Sequence, residues 1–342
     1  MPMMLDDRAW REVDRDELGF FNTLSGVFAS AQRRDPRCLP NLHKANCLFV
    51  GSDYGGEHQN ANYQTLTFLI ADVAACARWV NVWAPWRKRL LPDRRRMAYK
   101  SLNDGLRARA LFPLLETANR LPGLLATFAF SRAVRSVFSA DGHLETSQLE
   151  FPPLREFSAP IAEKFVRVVH VLSLLLAGLS APGQDVLWVT DEDSIAANPA
   201  RVRHLCDALA LASSHCLSHS LRHLRVATSK QDSGDLPVED LLAIPDLAAG
   251  ALSSAMDSML GTRGAPPSGF WLPPVQDVSG KTRRVWTGTP TILNHCADSL
   301  SWSMKLHSDS SRPRTSASTG RAICSTRYRV RRKLLKLRQI CV

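Results

Sequence analysis

The stretch "VLWVTDEDSI", residues 186–195, decides how the chain is read. Four apolar residues, Val186 to Val189, run directly into Asp191, Glu192 and Asp193, and Asn198-Pro199 then open a helix with Pro at a first-turn position where its missing N–H costs nothing. Such a run reads as a short central strand ending in an acidic loop. Carboxylates gathered this closely repel one another by ~4 kcal/mol per pair at ~4 Å and an effective dielectric of ~20, so a chain that collects them needs a cation to answer them.

Working outward, "CLFVG" (47–51) reads as a strand ending at Ser52 and Asp53, followed by the Gly55-Gly56 turn and a second strand, "YQTLTFLIA" (63–71). A helical stretch with Trp79, Trp83 and Trp86 comes next. "DGLRARALFPLLETANRL" (104–121) has helical periodicity despite Pro113, and Gly123 opens the strand "LLATFAF" (124–130). Ser158 to Leu179 reads as a long helix, "APGQD" (181–185) as a turn, Asn198 to about Leu217 as a helix and "LRHLRVATS" (221–229) as a strand. In "PVEDLLAIPDLAAGALSSAMDSML" (237–260) a capped start leads to a helix from about Pro245. Strands alternating with helices imply an α/β sheet. The expected organisation is an extension over 1–44, the sheet domain over 45–262, a linker with small elements over 263–304 and a basic, disordered tail over 305–342.

At 342 residues with 45% hydrophobic and 22% charged content, the chain has the composition of a globular protein. The first twenty residues mix acids with bases and lack the apolar centre of a secretory signal. The most apolar stretch, "FVRVVHVLSLLLAGL" (165–179), is shorter than the ~20 residues of a membrane span and carries Arg167 and His170, which points to a buried helix. Eight cysteines without a CxxC pair suit a reducing cytoplasm, and no GxSxG motif signals a nucleophilic hydrolase. His215, His219 and His223 share an i, i+4, i+8 spacing, but the strand expected from Leu221 takes the third out of the helix, against a metal site there.

The net charge of +11 is concentrated at one end. From Lys305 onward eleven Lys and Arg face one Asp, so ten of the eleven net charges sit in the tail. Nucleic-acid binding by charge alone would therefore rest on Arg327, Arg329, Arg331, Arg332, Lys333, Lys336 and Arg338. The Ser/Arg/Thr bias of "HSDSSRPRTSASTGR" (307–321) suits disorder, and a shifted reading frame would produce the same bias.

Three acids from distant segments stand at expected element ends: Asp53 after the first strand, Asp191 with Asp193 after the central one, and Asp246 at the start of the last helix. Ligand sites in α/β sheets form beyond the carboxyl ends of strands, and acids brought there are what a divalent cation needs. Ala248, Ala249, Gly250 and Ala251 would let the last helix approach the sheet, with Asp246 at the positive end of its dipole. Each acid alone is an ordinary turn or helix-start residue; their order along the chain is what carries weight.

That order, "GSDYGG", then Lys100 in "AYKSLND", then "LWVTDEDSI", then "EDLLAIPDLAAGAL", resembles the RNase H-like domain family of unknown function numbered 3800. The resemblance covers about residues 45 to 260. It departs at Pro245, where the family commonly has Ala, and at Tyr99, where many members have an acid. It implies an RNase H-like mixed sheet flanked by helices, and Mg²⁺ or Mn²⁺ held by Asp53, Asp191 and Asp246, with Asp193 as an additional ligand. Glu57 and Asp240 are second-tier candidates, and Lys100 is implied to contact the scissile phosphate or a water on the metal. The implied activity is two-metal phosphodiester hydrolysis of DNA or RNA. The alternative is a non-catalytic nucleic-acid or protein interaction module of the same fold.

Overall fold

A computed structural model of the chain describes residues 9–14, 19–36, 38–138, 144, 151–231, 236–263 and 280–288. The expected basic tail, 305–342, with all seven of its Arg and Lys candidates, lies outside the described residues, as does most of the linker. Five strands, β1 (Cys47–Gly55), β2 (Tyr63–Asp72), β3 (Gly123–Ser131), β4 (Asp185–Thr190) and β5 (His223–Thr228), form one mixed sheet in the order β3-β2-β1-β4-β5. The pairs β1–β2 and β2–β3 are antiparallel, whereas β1–β4 and β4–β5 are parallel. The chain is thus α/β, as its alternation of apolar strands and helical periods implies.

Among the described residues seven α-helices accompany the sheet: α1 (Phe20–Arg34), α2 (Val73–Leu90), α3 (Gly105–Ala118), α4 (Ala159–Leu179), α5 (Pro199–Cys216), α6 (Pro237–Arg263) and α7 (Gly280–Gly288). Strand residues alternate between faces, and the two faces bury separate cores. Leu48 and Val50 of β1 and Val186 and Trp188 of β4 join a core with α1, α4 and α5. Phe49 and Val189 face the other way, into a core with α2, α3 and α6. Residues of the expected N-terminal extension enter the first core: Trp10 stacks on Phe28 with ring centroids 4.5 Å apart, and Phe21 is buried.

The apolar stretch 165–179 is indeed a buried helix: α4 is covered along its length from Ala162 to Leu179. Among the described residues no helix is long and apolar enough to cross a membrane. Its polar residues are answered locally, Arg167 by Glu163 at 2.8 Å and by the carbonyl of Val134 at 3.0 Å.

One boundary is corrected. Helix α6 starts at Pro237, two turns before the expected Pro245, which lies inside it. An internal proline removes one backbone hydrogen bond and crowds the carbonyl four residues back, at a cost of ~3 kcal/mol. Leu241, Leu242, Ile244 and Leu247, which flank it, are all buried; at ~1.5–3 kcal/mol each, their burial outweighs that loss. Asp246 consequently sits mid-helix, where the helix dipole gives it no support.

Candidate functional site

The register of the parallel pair brings the first two acids together. Ser52 of β1 lies opposite Thr190 of β4, so Asp53 lies level with Asp191, the residue that follows β4; Asp53 is not after its strand, as expected, but inside it, because β1 continues through Tyr54 and Gly55 in its pairing with β2. By alternation both belong with Phe49, Gly51, Leu187 and Val189 on the face covered by α6. That helix runs close over β1: a Cβ on Gly51 would lie 3.3 Å from the Leu242 side chain, and the Thr65 hydroxyl donates to the Ala249 carbonyl at 3.2 Å. The small residues of "AAGA" allow this approach, and it carries Asp246 to the ends of the two strands.

Tyr99 holds Asp246 in place. Its backbone N–H donates to Asp246 Oδ2 at 2.6 Å, its ring lies on Gly250, and its hydroxyl bonds Ser254 at 2.9 Å and Thr282 at 2.8 Å. A Cβ on residue 250 would lie 2.2 Å from Tyr99 Cδ1, a clash. Lys281 of α7 covers the other side, its Nζ 4.2 Å from the ring centroid. The next residue, Lys100, is exposed and brings its positive charge to Asp246.

The electrostatics show that the acids converge. Burial first, then the charges of Asp246, Asp191 and Asp193, push the Asp53 carboxyl well above the usual carboxylate range, with Lys164 pulling the other way. Burial, with Asp191 adding to it, lifts Asp246 to about 6 against the opposing pull of the Tyr99 N–H, Lys100 and Lys281. Burial also raises Asp193, which Lys164 opposes. In all three the rise comes first from burial, to which the neighbouring carboxylates add.

The three acids of "TDED" point three ways. Asp191 accepts through Oδ1 from the Ser229 hydroxyl at 3.0 Å and from the Glu192 N–H at 2.9 Å. Glu192 turns to β5, accepting from Thr228 at 3.2 Å and pairing with Lys230. Asp193 pairs with Lys164 of α4 and caps the Ile195 N–H at 2.9 Å. Part of the cation demanded by this acidic loop is therefore supplied by the protein's own lysines.

Among the remaining sequence candidates, Glu57 is exposed and pairs with Lys164. Its position follows from Gly56, whose φ of 75° turns the chain where a side chain would strike the Tyr63 carbonyl. Asp240 is committed elsewhere: buried in α6, it accepts from the Trp83 indole at 2.8 Å and pairs with Arg87 at 3.0 Å. It belongs to the packing of α2 on α6, because a buried acid needs its charge answered where it lies. The three histidines part company. His215 is in α5, His219 bonds Ser180 at 2.9 Å, and His223 pairs with Asp185 at 2.9 Å.

No family model matches the chain, and no curated protein matches it either.

Among the described residues, no group of three or more His, Cys, Asp or Glu side chains is placed to hold a metal ion. The donor chemistry nonetheless fits a hard divalent cation. Asp53 carries no hydrogen bond among the described residues, while Asp191 and Asp246 each spend only one oxygen, Oδ1 and Oδ2 respectively. Free carboxylate oxygens beside unrelieved negative charge are what Mg²⁺ or Mn²⁺ recruits. Sequence reasoning missed Lys164, Tyr99 as a holder of Asp246, and Lys281. Only Lys164 left a sequence signal, a lysine inside the apolar run "IAEKFVRVV".

Proposed function

We propose that the chain is a metal-dependent phosphodiester hydrolase, a nuclease of RNase H-like fold related to the domain family numbered 3800. The mixed five-stranded sheet flanked by helices supports the fold reading, and the motif order supports the kinship. The observation that supports the function is Asp53: a half-buried carboxylate that accepts no hydrogen bond from a described residue, raised first by burial and then by the charges of Asp246, Asp191 and Asp193, and level with the residue that follows the parallel strand β4. A bound cation would relieve that repulsion, as protonation of one carboxyl also would.

Asp53, Asp191 and Asp246 would hold Mg²⁺ or Mn²⁺, which when bound supplies a Lewis acid for the phosphodiester oxygens and an acidified water. The protein's share is positional. Tyr99 fixes Asp246, Ser229 fixes Asp191, and the β1–β4 register fixes the distance between the strand ends. Exposed Lys100, whose charge reaches Asp246, would answer the charge of a phosphate there. Hydrolysis of single- and double-stranded DNA and RNA by the purified chain, with Mg²⁺, Mn²⁺ or EDTA, tests the reading. Asp191→Asn and Asp246→Asn are expected to abolish metal-dependent cleavage while the far-ultraviolet circular dichroism stays unchanged. Undiminished cleavage in both would remove the assignment.

The second reading, a nucleic-acid interaction module without hydrolysis, draws on a different surface. Arg78, Val82, Trp86 and Arg89 fall on one flank of α2 at i, i+4, i+8 and i+11, with Val82 54% and Trp86 40% exposed. The Arg89 guanidinium lies 5.2 Å from the Trp86 ring. An exposed aromatic beside cations suits a stacked base and its phosphate. In EDTA, Trp86→Ala would then weaken single-strand binding by about 1–3 kcal/mol; unchanged affinity would remove this reading.

A further inference from the structure

We propose that His219 is an acid-sensitive latch on the N-terminal strap, residues 9–14: while neutral it holds Arg11 against the end of α4, and on protonation it lets Arg11 go.

The strap closes over the carboxyl-terminal end of α4. Trp10 is buried, stacks on Phe28 of α1, and lies on Gly178, where a Cβ would stand 2.4 Å from its ring. The Trp10 N–H donates to Gln32 Oε1 at 3.0 Å and the Val13 N–H to the Ser25 hydroxyl at 2.7 Å, both on α1. Between these two anchors Arg11 answers the carbonyls that α4 leaves open at its end. Its N–H donates to the Gly178 carbonyl at 2.9 Å and its guanidinium to the Ser180 carbonyl at 2.7 Å. A helix end presents unpaired carbonyls and the negative pole of its dipole, so a cation is favoured there.

His219, between α5 and β5, completes the chain of contacts. The Ser180 hydroxyl has one proton and gives it to the Leu176 carbonyl at 2.6 Å, so the 2.9 Å contact between Ser180 Oγ and His219 Nε2 requires the ring's proton on Nε2. Nδ1 is then an acceptor, and it faces the Arg11 guanidinium at 3.4 Å. A second proton could go only on Nδ1, where it would turn the acceptor into a donor and set one cation against another. The charged and titratable groups that face the ring are Arg11 from the strap and His43 from the loop before β1. Burial, then the charges of Arg11 and His43, lower the pKa of His219, and among the described residues no carboxylate pairs with it to offset them. A freed ring takes its proton near pH 6.5 and the latched ring only at lower pH, so the grip is complete above pH 6.5 and is lost as the pH falls through the lower, folded value. Trp10 keeps the strap seated; the latch sets how often it opens.

Hydrogen exchange of the full-length chain at pH 7.5 and 5.5, read as protection factors so that the intrinsic pH dependence of exchange is removed, tests the latch. Protection of the Arg11 and Val13 amides, relative to the amides of β4, should fall by about threefold to tenfold at pH 5.5, tenfold being the limit for a group of pKa 6.5 kept wholly neutral. His219→Gln, which cannot take the proton, should hold that ratio level between the two pH values, and His43→Gln should leave the fall in place. An unchanged ratio in the wild type, a fall that survives His219→Gln, or one abolished by His43→Gln would overturn the proposal. Should His219→Gln fail to fold, the imidazole nitrogen resonances of the wild type decide: a proton on Nε2 at pH 7.5 and titration below pH 6.5 are expected, and a proton on Nδ1, or titration at or above 6.5, would overturn the latch.

Discussion

Replacing His170 with leucine should remove a large part of the acid sensitivity of folding. His170 is 2% exposed in α4, with Phe21 and Phe138 at ring-centroid distances of 5.7 and 5.3 Å. Nδ1 donates to the Val166 carbonyl at 2.8 Å, which leaves Nε2 unprotonated in an apolar setting. Burial, with a contribution from the charge of His215, lowers its pKa to about 4. The unfolded chain takes up the proton near pH 6.5, whereas the folded chain resists it until about pH 4. Stability from neutral His170 is therefore complete above pH 6.5 and is lost as the pH falls towards 4. A separation of about 2.5 units amounts to about 3 kcal/mol in full, of which about 2 kcal/mol is gone at pH 5. Urea unfolding at pH 7.5 and pH 5, extrapolated linearly to water, measures the loss in each protein. Carboxylates that titrate in this range contribute equally to both and cancel in the difference. The wild type should lose about 2 kcal/mol more than His170→Leu between the two pH values; equal losses would refute the argument, as would an imidazole titrating near 6.5 by nuclear magnetic resonance.

Other substitutions probe the packing that places the site. Asp240→Ala leaves the buried Arg87 guanidinium unanswered and should cost about 3–5 kcal/mol in urea unfolding; a loss below about 1 kcal/mol would mean the pair is solvated. Gly250→Ala drives a methyl group into the Tyr99 ring and should destabilise by about 1–3 kcal/mol, against the gain of nearly 1 kcal/mol expected of this change in an open helix. Gly105→Ala meets nothing within 4 Å at the start of α3 and should raise the melting temperature through a gain of about 0.4–1 kcal/mol. Opposite signs for the two glycines are the result to look for, and a shared sign would refute the role given to Tyr99.

Local chemistry made much of this molecule readable in advance. The runs 47–51, 63–71, 124–130, 186–189 and 221–229 each correspond to a strand of the sheet, because four to nine apolar or β-branched residues between turn signals have few other places to go. Asp104 was legible as a helix start and caps α3, accepting from the N–H groups of Leu106 and Arg107. Asp191 could be placed just past a strand end from the residues beside it, whereas β1 continues two residues beyond Asp53 because Tyr54 and Gly55 still pair with β2. Pro245 misled for the same local reason: proline is common in a first turn, and its flanking leucines reveal their burial only once β1 lies beneath them.

What the sequence determined by itself is a set of apolar periods and acids at their ends, enough for an α/β sheet and for the suspicion of a cation. Tertiary structure alone decided which acids share a site. Asp240 and Asp246 lie six residues apart on one helix, yet the first turns to Arg87 and the second to Tyr99 and the strand ends. Lys164 meets Glu57 across more than a hundred residues of chain, and Asp193 from a separate loop. Charge acts through space over a few ångströms, so a carboxylate's partner is set by which segments fold against it and not by its neighbours in the chain.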